Sequence, residues 1–100
     1  MAHIFLRPDE VSILHYYKFN IADWVLGTSH LSLEEEAIYF RLINHYYDTE
    51  QPIPLETHLV FRRLRMGSSV ETADSILTEF FTKTDKGWMH SRCEKDLKDY

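Results

Sequence analysis

Three arginines, Arg62, Arg63 and Arg65, stand within four positions, and no acid lies between Val60 and Val70. Ser68 and Ser69 follow at the predicted start of a helix, where free backbone amides attract anions. Lys83 and Lys86 stand further along, in a stretch from Phe81 to Arg92 whose only acid is Asp85. These seven residues are the candidate phosphate-binding set, and about five such contacts would give a measurable, salt-sensitive affinity for nucleic acid. The competing reading of the arginines is a solvated helix end.

Other residue types invite chemistry less well. His90 and Cys93 are three apart, which suits two ligands on one helical turn. Structural zinc needs four ligands in paired spacings, and no second pair exists, while His3, His15, His30, His45 and His58 are scattered. No metal site is expected. Glu34, Glu35 and Glu36 are consecutive, so they fan around a helix instead of converging. The sequence has no glycine-rich phosphate loop, nucleophile elbow or His-Glu-x-x-His motif. The expectation is a non-enzymatic chain with no catalytic residues and no cofactor. Tyr16-Tyr17 and Tyr46-Tyr47 could stack bases, but aromatics at helical spacing are more often core.

The elements that would position the basic residues are readable from periodicity and caps. Trp24-Val25-Leu26 suggests one short helical turn ended by Gly27. Ser32-Leu33-Glu34-Glu35 is a capping box opening a helix to about Tyr47, with Leu33, Ala37, Ile38, Leu42 and Tyr46 inward. Three glutamates in its first turn suit the positive end of the helix dipole. Pro52-Ile53-Pro54 fits an edge strand. A second helix is predicted from Glu56 to Arg65, burying Leu59, Val60 and Leu64. Ser68-Ser69-Val70-Glu71 is read as another capping box, opening a helix that buries Val70, Ala73, Leu77, Phe80 and Phe81. Phe81–Thr84 and Trp88–His90 then flank Asp85-Lys86-Gly87, a hairpin signature. Helix, helix, helix, hairpin is the order of a winged helix. The third helix would present Glu71, Asp74, Ser75 and Thr78, an acidic face for a groove-reading element.

The reading is an α+β, mostly helical winged helix-turn-helix with a small antiparallel wing hairpin. It divides into an N-terminal arm (1–15), the winged-helix domain (16–91) and a C-terminal helix (92–100), either solvated or the start of a longer one. Phe5, Leu6, Val11, Ile13 and Leu14 are too many apolar residues for a free tail, so they are assigned to a protein interface. A single cysteine excludes an internal disulfide, and no window is long and apolar enough for a membrane span or a secretory signal. The expected location is therefore the cytoplasm, which the family resemblance given below would make that of a bacterial host cell. The net charge of −5 argues against a non-specific nucleic-acid binder, although a local basic patch can still touch phosphate.

Tyr16-Tyr17, Asp23-Trp24, His30-Leu31-Ser32, Glu34-Glu35, Tyr39, Arg41-Leu42, Tyr46-Tyr47-Asp48-Thr49-Glu50, Pro52-Ile53-Pro54, Phe80-Phe81, Thr84-Asp85, Gly87-Trp88 and Arg92-Cys93 resemble a known pattern. It is that of the phage and prophage domain family typified by the Rac prophage protein YdaU, over roughly Tyr16 to Leu97. The family has no assigned function and no established catalytic residues. The resemblance implies a phage or prophage setting and a winged-helix role in replication, because members adjoin helicase-loader-like genes or begin phage replication proteins. The expected partners are double-stranded DNA, a replication protein such as a helicase loader, or a second copy of the chain, with no membrane. The alternative is a protein-interaction module, a dimeric regulatory or host-directed phage factor, without direct DNA contact.

Overall fold

A computed structural model describes residues 19–99. Its elements run α1 (Ile21–Thr28), α2 (Leu33–Thr49), α3 (His58–Arg63), α4 (Val70–Phe80), β1 (Thr82–Thr84), β2 (Gly87–Met89) and α5 (Ser91–Asp99). The chain is thus mostly helical with one small antiparallel hairpin, the expected α+β class. The N-terminal arm residues Phe5, Leu6, Val11, Ile13 and Leu14, together with Tyr16, Tyr17, His3 and His15, lie outside the described residues.

The long helix α2 organises the core. Its start is the predicted capping box: the Glu35 amide donates to Ser32 Oγ at 3.1 Å, and the Ser32 amide donates to Glu35 Oε1 at 2.8 Å. Its inward face is Ile38, Tyr39, Leu42, Ile43, Tyr46 and Tyr47. Leu33 and Ala37, expected inward, are exposed, Leu33 at 89%. The cause is geometric: at 100° per residue, Leu33, Ala37 and Phe40 form a second stripe on the side of α2 away from the core. Against the inward face pack Ala73, Ile76 and Leu77 of α4, Val60 and Phe61 of α3, Phe81, Ile53 and Cys93.

The remaining departures from expectation are local. The first helix is two turns long and runs through Gly27, because Asn20 caps it from the Asp23 amide at 3.0 Å and Thr28 Oγ1 donates to the Trp24 carbonyl at 2.7 Å. Helix α3 is shorter than predicted, and Leu59 is 67% exposed while Phe61 is buried in its place. The second capping box does not form. Gly67–Ser69 is wound into a 3-10 turn continuous with α4, so Ser69 lacks extended cap geometry, and its hydroxyl donates to Glu34 Oε2 at 2.5 Å instead. Val70 consequently faces solvent.

The hairpin pairs Thr82 with Met89, Lys83 with Trp88 and Thr84 with Gly87. Ile53 joins β2 as an isolated bridge: its amide donates to the Trp88 carbonyl at 3.0 Å and its carbonyl accepts from the Trp88 amide at 2.7 Å. Gly87 is required twice over. Its φ of +127° is one that L side chains rarely adopt, and a Cβ there would stand 2.5 Å from the Ile53 carbonyl oxygen. No helix among the described residues is long and apolar enough to cross a membrane.

Candidate nucleic-acid interface

The basic turn is built by unusual backbone. Arg65 (φ +60°) and Gly67 (φ +56°) are both left-handed, which ends α3 and reverses the chain into α4 within a few residues. For a non-glycine residue that conformation costs on the order of 1 kcal/mol. An arginine from α2 offsets it: Arg41 donates to the Leu64 carbonyl at 2.9 Å and to the Arg65 carbonyl at 3.5 Å, satisfying acceptors the broken helix leaves behind. Arg62, Arg63 and Arg65 are all exposed, and none stands within ion-pair distance of a carboxylate among the described residues. His45 on α2 is held below its ordinary pKa, first by burial and then by the positive charge of Arg63, with Asp48 opposing.

Ser68 is exposed at this turn, but Ser69 is engaged. The Glu34 carboxylate accepts its hydroxyl and brings a negative charge to the start of α4, where an incoming phosphate would otherwise meet a neutral hydroxyl. The hairpin lysines lie at the other end of the same helix. Lys83 Nζ sits 5.9 Å from the centroid of the Trp88 ring, and Lys86 is exposed at the tip, its amide donating to Thr84 Oγ1 at 3.1 Å. Eleven residues of α4 separate the two groups, about 16 Å at 1.5 Å per residue. The arginines and serines are therefore brought together, while the lysines form a second basic end. Between them Glu71, Asp74, Ser75 and Thr78 are exposed as expected, with Glu79 adding a further acid.

Reasoning from sequence missed a row of polar bonds that docks the C-terminal helix. Tyr46 donates its hydroxyl to Glu94 Oε2 at 2.5 Å and accepts from the His90 amide at 3.3 Å. Tyr47 donates to Asp96 Oδ2 at 2.5 Å, and the Tyr39 hydroxyl meets His90 Nε2 at 2.8 Å. The spacing Tyr39, Tyr46, Tyr47 against His90, Glu94, Asp96 carried the signal, since tyrosines on a core-facing stripe need polar partners for their hydroxyls. Burial dominates the titration of this row. It pushes the Tyr39 phenol up to about 12, and drives Tyr46 and Tyr47 higher still with help from their carboxylate partners. It drives His90 down to about 4, with Arg92 second.

These bonds also account for the other chemical candidates. Both His90 nitrogens are occupied, because Nδ1 accepts from the Cys93 amide at 3.3 Å. Cys93 is fully buried and its thiol is raised to about 12, chiefly by burial, which makes it a poor ligand and a poor nucleophile. Among the described residues no three His, Cys, Asp or Glu side chains are grouped to hold a metal ion. The three consecutive glutamates fan as expected into separate tasks: Glu34 to Ser69, Glu35 to the capping box, and Glu36 to the Trp24 indole N–H at 2.6 Å. A cleft of about 170 Å³ opens between α1, α2 and α5, walled by Trp24, Tyr39 and Phe80. The ring of Tyr39 is stacked between those of Trp24 and Phe80, at 5.0 and 4.0 Å. Its charged rim is self-paired, Arg92 lying 4.0 Å from Asp23 and 3.7 Å from Asp96.

Comparison with known proteins places this geometry in a family. Residues 15–98 match the model described as "Protein of unknown function (DUF1376)". The chain is 36% identical over 87 residues to the uncharacterized protein YdaU of Escherichia coli (strain K12). That match covers 87% of this chain and 30% of the relative, so the chain spans about a third of that protein's length. No solved structure matches. With the family model covering most of its residues, the chain belongs to the DUF1376 family.

Proposed function

We propose that the domain of residues 16–91 is a winged helix-turn-helix, its described part built on α2 to the hairpin, that contacts double-stranded DNA without catalysing a reaction, in phage or prophage replication initiation. Support for the topology comes from the order α2, Ile53 bridge, α3, α4, hairpin, with the bridge pairing to the second hairpin strand. In such a domain α4 enters the major groove and the hairpin touches adjacent backbone. The observation that carries DNA contact is the turn of three exposed arginines without carboxylate partners among the described residues, at one end of α4, opposed by two lysines at the other. The helix between them is about 16 Å long, a length that suits cations reaching phosphates on either side of a major groove about 12 Å wide. The acidic face of α4 works against binding, so affinity would rest on the flanking cations. The replication assignment rests on the family resemblance, with a helicase-loader-like protein as the expected neighbour.

The test is titration of a labelled duplex at two salt concentrations. With five phosphate contacts, log affinity should fall against log salt with a slope of about −4.5. Joint replacement of Arg62, Arg63 and Arg65 by alanine should cut the slope to about −2. A slope unchanged by the triple variant removes the patch, and no binding at low salt removes DNA altogether. A second reading, a protein-interaction module, is favoured by one feature: the apolar stripe on the outer side of α2.

A further inference from the structure

Nine large hydrophobic side chains are exposed among the described residues, and most of them cluster. On α1, Ile21, Ala22, Val25 and Leu26 fall within about 140° of arc, opposite the side that carries Asp23 and Gly27 toward the cleft. On α2, Leu33, Ala37 and Phe40 repeat at four and three residues on the face turned from the core. The two helices meet at Phe40, whose ring lies edge to face on Trp24 at 5.7 Å, about 60° round α1 from Ile21 at the border of its stripe. Leu33 and Leu26 are the most open of the set, at 89% and 79%. Taking roughly 190 Å² for a fully open large apolar residue, the five large side chains expose on the order of 600 Å². That matches the largest apolar patch of a typical monomer and approaches the 800 Å² or so that one partner brings to a standard interface.

We infer that this face of α1 and α2 packs against the same face of a second copy of the chain, about a twofold axis. The spacing of four and three is the one helices use to interdigitate in pairs. Charge placement selects the antiparallel arrangement. Glu34 and Arg41 flank the α2 stripe on one side, seven residues apart, and both are exposed. Centring the twofold axis between residues 37 and 38, so that the two Ala37 side chains face each other across it, brings each Glu34 opposite the second copy's Arg41, and one pairing creates two complementary contacts. Arg41 spends one nitrogen on the Leu64 and Arg65 carbonyls, which leaves donors on the other two. A parallel pair about a twofold axis would carry the two flanking rows to opposite sides of the seam, where Glu34 and Arg41 could not meet. The core face of α2 packs on α4, so the pairing leaves α4 uncovered, while the basic turn, which Glu34 and Arg41 both touch, borders the seam.

Light scattering on the full chain at about 100 μM should give twice the 12.0 kDa chain mass. The double variant Leu33→Glu/Ala37→Glu should halve it, with an unchanged far-UV spectrum, because both positions are solvent-facing within one chain. Separately, Ala37→Cys treated with a short bis-maleimide should yield cross-linked dimer. Leu59→Cys, exposed on α3, should not, and the buried Cys93 leaves the parent chain inert. A monomer at that concentration overturns the proposal, as does a dimer that survives the double variant. A dimer lost instead on replacing Phe5 and Leu6 would hand the interface to the N-terminal segment and equally refute it.

Discussion

Replacing Tyr46 by phenylalanine isolates the bond that matters most to the docking of α5. The ring is fully buried and would keep its packing, so the change removes one oxygen and nothing else. That oxygen does two things: it donates to the Glu94 carboxylate at 2.5 Å and accepts from the His90 amide at 3.3 Å. A hydrogen bond to a charged group contributes about 1.5–3 kcal/mol, and a buried amide left without an acceptor costs about 1 kcal/mol or more. Glu94 is only partly buried, so water recovers some of its share. The expected net loss is about 2–3 kcal/mol, a large fraction of the 5–15 kcal/mol typical of a domain this size. For about 100 residues this lowers Tm by roughly 10–20 °C. Urea unfolding followed by far-UV circular dichroism should show a lower midpoint at constant slope. A double-mutant cycle with Glu94→Gln should return coupling above about 1 kcal/mol. A loss below about 0.5 kcal/mol, or additive effects in the cycle, would refute the claim that phenol–carboxylate bonds hold α5.

Two further outcomes follow from the same core. His90 has a folded pKa of about 4 against an ordinary 6.5, so its contribution is fully present above pH 6.5 and is lost as pH falls from 6.5 to 4. The gap amounts to at most about 3 kcal/mol, and unfolding free energies measured from pH 7 to 5 should fall in the parent and less steeply in His90→Gln, where the depressed His45 still contributes. Gly87→Ala should cost at least about 2 kcal/mol and detach Ile53, whereas Gly67→Ala, with positive φ but open space around it, should cost about 1 kcal/mol; equal losses in thermal melts would contradict the steric account.

What could be read from the residues was whatever local chemistry decides. The Ser32 capping box and the hairpin around Asp85 and Lys86 depend on neighbours in sequence, and each stands where expected, whereas the edge strand expected at Pro52–Pro54 is reduced to one bridge from Ile53 to distant Trp88. Failures came where tertiary competition decides. Ser68 has the spacing of a capping serine before Glu71, but residues 67–69 wind into a 3-10 turn and the neighbouring Ser69 hydroxyl goes to Glu34, 35 positions away. Leu33 and Ala37 were placed inward because α2 carries two apolar stripes, and periodicity cannot say which one meets the core. Phe61 displaced Leu59 for the same reason on a helix too short to show a phase. Of the candidate site, the cluster of arginines was legible, but the left-handed Arg65 and the guanidinium of Arg41 that holds the turn were not, since both answer to distant backbone. The C-terminal helix reads as solvated by charge alone, yet Glu94 and Asp96 are the acceptors on which the core tyrosines depend.

The two indoles divide the molecule between them. Trp24 lies against Tyr39 and Phe40 with its N–H on Glu36, while Trp88 sits in the hairpin under Lys83. Their fluorescence therefore carries two separate signals, one for the seating of the first helix and one for the hairpin tip. Single-indole versions of the chain would let each end of the molecule be watched without any added dye.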